Sequence, residues 1–165
     1  MSTTNDLLET MAASRAALLA SFAGLADEEL ARKGSVGAWS IKDTLGHVAA
    51  WERIVTGFLP GWLATGTAPE VLYVLEEHGE DAANAVEVAE RAALTPREQL
   101  EELDQARARL VAYIHTLGDA TLERTLPADD WEGTLATYFV DLVGAHEVEH
   151  TEAIRAAAER LRVGG

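Results

Sequence analysis

The sequence contains no cysteine. That excludes a disulfide scaffold, a thiolate metal site and a cysteine nucleophile. Basic side chains are scarce: 13 lysines and arginines stand against 28 aspartates and glutamates, a formal net charge of −15. A nucleic-acid binder needs a basic face to neutralise phosphates, and docking on anionic lipid needs the same, so both classes are set aside. No run of about 18 or more apolar residues occurs, so no membrane-spanning segment is expected. The first thirty residues lack a basic stretch followed by a long apolar one, and the expected location is the cytoplasm. Strand signals are missing too. No stretch of four to eight residues alternates apolar and polar between turns.

What the chain does have is helix-forming composition. Its 165 residues suffice for one domain with its own core, here taken as residues 1–165. Alanine and leucine make up roughly a third of them, and both favour helix. Periodicity and caps place four long helices. The first spans about 4–24, with Leu8, Met11, Leu18, Phe22 and Leu25 repeating at three and four; a short segment capped by Asp27 follows. The second starts at Ser40, helped by Asp43 three residues on, and runs through Ile41, Leu45, Val48, Val55 and Leu59 until Pro60 kinks or ends it. A looser stretch, 65–94, has room for one or two short helices. The third long helix opens at Thr95-Pro96-Arg97-Glu98, a capping box with proline at the first helical position, and stops at Gly118. The fourth starts at Gly133-Thr134 and runs to about Leu161. Four amphipathic helices bury their stripes most economically as an all-α four-helix bundle, with short extra helices in the connections.

On a helical wheel the last stripe reads Leu135, Phe139, Leu142, His146, His150, Ala153, Ala157 and Leu161. Two histidines thus occupy positions where leucines would pack better, and residues four apart point the same way. Such a pair can chelate one metal ion, with imidazole nitrogens about 2.0–2.1 Å from zinc. The second helix repeats the oddity, with His47 on a face with Thr44, Trp51, Ile54 and Phe58. Three imidazoles from two helices can converge on one ion and leave positions open for water or substrate, as catalytic sites do. The plainer readings are that His47 is a hydrogen-bonded core residue and that the pair is a chance spacing on a helix. His78, in an acidic loop, reads as solvated, and His115 as a surface or capping residue. Trp39 and Trp131 flank helix starts, where they either rim a pocket or close the end of the bundle. Arg15 interrupts the first apolar stripe; its stem is expected to snorkel to the surface, and contact with an anionic substrate group is the other reading.

His146-Glu147-Val148-Glu149-His150 also matches H-E-x-x-H, the metallopeptidase signature with Glu147 as general base. A third ligand well downstream, a strand to bind peptide and a second subdomain are all missing, so a peptidase is not expected.

The stretch Trp39-Ser40-Ile41-Lys42-Asp43-Thr44-Leu45-Gly46-His47-Val48-Ala49-Ala50-Trp51-Glu52, the Asn84-Ala85 pair with the run into the third helix, and His146 to His150 followed by Ile154-Arg155 together resemble the DinB/YfiT-like superfamily of four-helix bundles. The middle region looks closer to a subgroup that includes the colibactin-resistance cyclopropane hydrolase. The resemblance implies a metal held by His47, His146 and His150. It also implies either thiol-dependent transfer using mycothiol or bacillithiol, or hydrolysis of a reactive small molecule. The expected protein is therefore a metal-dependent enzyme (zinc, nickel or iron) acting on a small electrophile. Glu147 and Glu149 are candidates to orient a ligand or act as base, and Trp51, Phe58 and Trp39 are candidates to line the pocket. The plainer readings are solvated charges on the outer face for the two glutamates and bundle core for Trp51 and Phe58. The alternatives are a metal-free binding or sequestering bundle and a dimerising helical domain, in which an apolar outer stripe on the first or third helix pairs two copies.

Overall fold

A computed structural model describes residues 3–67, 80–125 and 133–164. The helices are α1 (Thr3–Ser21), α2 (Asp27–Leu30), α3 (Ile41–Thr65), α4 (Glu80–Glu90), α5 (Pro96–Leu117), α6 (Asp119–Leu122), α7 (Leu135–Phe139) and α8 (His146–Gly164). A six-residue π-helical segment, Val140–Ala145, joins α7 to α8. Among the described residues the only β pairing is two isolated bridges, Val36 with Trp39 and Thr125 with Thr134. No described helix is long and apolar enough to cross a membrane.

The caps act where the sequence places them. The Ser40 hydroxyl accepts from the Asp43 amide, and the Asp43 carboxylate accepts from the Ser40 amide at 2.8 Å. Thr95 and Glu98 make the same reciprocal pair at the start of α5. Gly118 ends α5 with φ 70°, a conformation that costs glycine little. Pro60 does not end α3, which continues five residues to Thr65 and the left-handed Gly66. Pro60 sits on the exposed side, where a carbonyl that loses its intrahelical partner can be hydrated.

α3 packs along α5 and α1 along α8, and α3 also meets α8. Close approach of α3 to α5 depends on Gly46: a Cβ there would lie 2.8 Å from Oε1 of the fully buried Gln99. Lys42 reaches out of the same helix, its Nζ donating to the carbonyls of Ala92 (3.0 Å) and Leu94 (2.8 Å). With Arg53 and Arg91 bridging Glu87 and Glu102, this fastens α4 and its following turn to α3 and α5.

The core divides into two apolar clusters. One holds Met11, Val55, Leu59, Leu110, Ile114, Phe139 and Val143. The other holds Leu18, Leu45, Val48, Leu103, Ala106, Ile154 and Ala157. Along each long helix the two sets lie on opposite sides of one buried charge: Arg15 on α1, Glu52 on α3, Arg107 on α5 and Glu147 on α8. A polar layer therefore crosses the bundle between two dry halves.

The expected snorkelling of Arg15 does not occur. The residue is 8% exposed, and its Nε donates to Glu147 Oε1 at 2.6 Å while Nη2 donates to Glu52 Oε1 at 2.7 Å. Two buried carboxylates hold the guanidinium inside, because leaving them unpaired would cost more than keeping it from water.

Candidate metal centre

The three predicted histidines meet. His47 comes from α3, His146 and His150 from the first turns of α8. His47 Nε2 lies 2.9 Å from His146 Nε2, which lies 3.0 Å from His150 Nε2. Among the described residues this is the only grouping of three histidine, cysteine or carboxylate side chains suited to a metal. His47 is buried and the other two are half-buried. Burial, then the neighbouring imidazoles, pushes His47 down to about 3. Burial and His150 push His146 down to about 4, against the opposing pull of Glu147. Burial also lowers His150, with Glu149 opposing. All three rings are thus neutral at pH 7 and offer lone pairs.

The arrangement fits a divalent ion on its own chemistry. His146 Nε2 carries either one proton or one lone pair, so it cannot complement both neighbouring nitrogens. A cation accepts from all three. Two nitrogens bound about 2.0–2.1 Å from one ion lie about 2.9–3.4 Å apart between square and tetrahedral angles. The His47–His146 and His146–His150 separations, 2.9 and 3.0 Å, agree with that range, and the three ligand atoms all lie within 4.8 Å of one another.

His47 and His146 form one wall of a cavity of about 260 Å³ lined also by Trp51, Asn84, Asp141 and Leu142, with Glu149 and Ala145; His150 is outside the lining. Trp51 Nε1 donates to Asn84 Oδ1 at 3.3 Å, so α4 closes one side. The remaining predicted residues separate. Glu149 lines the cavity. Glu147 is absent from it: its carboxylate is fully buried on the other side of α8, where it accepts from Ser14 and Arg15 and, at 2.9 Å, from Arg107 Nη2. Burial alone would raise that carboxyl, but Arg107, Arg15 and Ser14 outweigh it and hold it below the usual range. Trp39 packs on His47, ring centres 5.2 Å apart, and is not among the lining residues. Phe58 packs against the first apolar cluster beside Trp62, outside the cavity. His115 is exposed on the last turn of α5. Trp131 and His78 lie outside the described residues.

Glu147 lies in the core and His146 at its edge because of the π segment. A continuous α-helix from Leu135 and Phe139 would carry the core line through Leu142, His146 and His150. The wider π turn shifts it by one residue. The buried line becomes Phe139, Val143, Glu147, Thr151 and Ile154, and His146 turns toward the cavity.

Sequence reasoning missed Asp141 as a lining residue and missed the roles of Glu52 and Arg107. Glu52 and Arg107 had a signal: each is a charge inside an apolar run, Leu45-Val48-Glu52-Val55 and Leu103-Arg107-Leu110, with opposite signs on facing helices.

Residues 10–154 match the pattern of the DinB superfamily. The chain belongs to the DinB superfamily. It is 24% identical over 143 residues to the uncharacterized protein YuaE of Bacillus subtilis (strain 168), covering 84% of this chain and 88% of that one. In fold it is similar to an uncharacterised protein from Escherichia coli UTI89, with a TM-score of 0.76, 16% identity and coverage of 98% and 96% of the two chains. These likenesses support the DinB-type helical fold and do not select a subgroup within the superfamily.

Proposed function

We propose that this DinB-superfamily protein is a metal-dependent enzyme acting on a small electrophilic molecule, as a hydrolase or a low-molecular-weight-thiol S-transferase. The observation that carries the reading is the grouping of three neutral imidazoles, two of which, His47 and His146, line a small cavity. His47, His146 and His150 would hold the ion, with zinc, nickel and iron all compatible with nitrogen ligation. A bound divalent ion lowers the pKa of a coordinated water or thiol, so that a nucleophile is available at neutral pH.

The protein's own residues supply the rest. The cavity admits only a small substrate, and Trp51 and Leu142 give it apolar surface. Glu149 and Asp141 are the carboxylates that line the cavity, and Glu149, the residue before His150, is the candidate to act as base. Glu147, bonded to two arginines, is not available for proton transfer. The test is elemental analysis of tag-free protein, wild type beside His146→Ala. Near-stoichiometric zinc, nickel or iron in the wild type and none in the variant is expected. No metal in either, even after reconstitution, overturns the metalloenzyme reading.

Pairing of two copies is a further part of the proposal. Between Glu9 and Asp27, α1 and the turn after it present no charge to solvent, because Arg15 is buried. Leu8, Met11, Ala12, Ala16, Leu19 and Val111 line an apolar groove of about 520 Å³ there. On a chain of net charge −15, two copies repel least across this face. Sedimentation should show a dimer that Ala16→Glu dissociates; a monomeric wild type removes this part.

A further inference from the structure

The two helices that carry the histidines, α3 and α8, pack mainly on different partners, α5 and α1. Two arginines tie them together. Arg15 of α1 donates to Glu52 of α3 at 2.7 Å and to Glu147 of α8 at 2.6 Å. Arg107 of α5 donates to the same two carboxylates, at 2.6 Å to Glu52 and 2.9 Å to Glu147. Each guanidinium also donates to a backbone carbonyl, Arg15 to Leu103 at 3.2 Å and Arg107 to Met11 at 2.7 Å. The four charges sum to zero and form a closed ring with one member from each long helix. Glu147 follows His146 directly in the chain, and Glu52 is five residues from His47.

We propose that this ring is the positioning device of the metal centre. Arg15, Arg107, Glu52 and Glu147 set the separation and rotation of α3 against α8, and thereby the separation of His47 from His146 and His150. This rests on the metal reading for its functional consequence, though the geometric claim stands apart from it. An apolar layer would hold four helices together equally well, but greasy side chains slide past one another. A planar guanidinium that must donate in two fixed directions to two carboxylates does not. Replacing a buried ion cluster by apolar residues of similar volume often leaves stability unchanged or raised, and registry is the best-attested reason for keeping one. No ring member belongs to the histidine cluster or lines the cavity, so a change in the ring replaces no ligand and no residue of the cavity.

That separation permits a test. The four-fold variant Arg15→Met, Glu52→Leu, Arg107→Met, Glu147→Leu is compared with wild type in three ways: urea unfolding, zinc and nickel dissociation constants by chelator competition, and crystal structure. The expected result is a folded bundle of equal or higher urea midpoint whose ion affinity is weaker by about tenfold or more, the scale seen when groups that orient ligands are lost. The separation of His47 Nε2 from the other two should be larger or more scattered. Ion affinity within twofold of wild type, with unchanged nitrogen separations, overturns the proposal and leaves the ring a stability element only. If the four-fold variant does not fold, Arg107→Lys serves in its place, keeping the charge but not the two-direction fork. Weakened ion binding supports the proposal, and unaltered binding at lower stability overturns it. A wild type that binds neither ion defeats the metal reading alone. The nitrogen separations then decide the positioning claim: displaced rings support it, unmoved rings overturn it.

Discussion

Two polar clusters sit side by side in this bundle, and they differ in one respect. The arginine–glutamate ring is balanced in charge, two cations against two anions, with Ser14 and two carbonyls as further partners, and it leaves one buried oxygen, Glu52 Oε2, without a hydrogen bond. The histidine cluster contains three groups of one kind facing a common point. A cluster whose charges cancel acts within the fold. An unbalanced one, buried at the cost of desolvation, is a place where a metal ion could be held. Polarity inside a core therefore does not by itself identify a functional site; several like groups gathered together, with no opposite partner among them, are the stronger sign.

The sharpest way to break this comparison is to unbalance the ring. Glu147→Leu leaves two guanidiniums facing one carboxylate, and should cost about 3–5 kcal/mol by urea unfolding. A loss below about 1 kcal/mol would mean that water already reaches the ring.

Acid should act first on the histidines. Their folded pKa values lie below the ordinary 6.5, at about 3 for His47 and about 4 for His146. Between those values and 6.5 the unfolded chain holds more protons than the folded one, so stability rises with pH. In chelator-treated protein the urea midpoint should hold above pH 7 and fall steadily from pH 6.5 toward 4. Glu147 and Asp43, held low by their cationic partners, add their own loss as the pH falls through the ordinary carboxylate range and on toward their lowered folded values. A flat midpoint between pH 7 and 5 would contradict the buried neutral imidazoles.

Ser14→Ala removes a hydroxyl that donates to the Glu147 carboxylate inside the ring. Hydrogen bonds to charged groups are worth about 1.5–3 kcal/mol, and a loss in that range is expected from thermal or urea unfolding.

The smallest stability effect should come from the site with the largest functional one. His146→Leu in metal-free protein removes a ring whose partners are other rings, and should change unfolding free energy by less than about 1 kcal/mol. It should nevertheless abolish metal uptake. A large destabilisation without metal would make His146 a core residue and level the difference between the two clusters.

Much of the fold is legible in the residues because the signals are local. The boxes at Ser40 and Thr95 and the glycine after Leu117 act within a turn, so sequence reading and structure agree there. Pro60 is where local reasoning fails: the cost of a proline depends on whether the freed carbonyl meets water, which is a matter of position in the bundle. The histidine spacing on α8 is likewise local, and the pair is correctly read as pointing one way. Its rotation relative to the core is not, since a π turn leaves no distinct mark in the periodicity and moves Glu147 inward in place of His146.

The sequence alone determined an all-helical chain, its strong negative charge, its helix starts, and the presence of three imidazoles able to meet. Those follow from composition and from interactions spanning three or four residues. Tertiary structure alone decided that Glu147 belongs with Arg15 and Arg107 and Glu149 with the cavity, and that Phe58 is core while Trp51 is wall. Such choices depend on which helix faces which and at what rotation, and a charge buried in one helix is explained only by the opposite charge another helix brings to it.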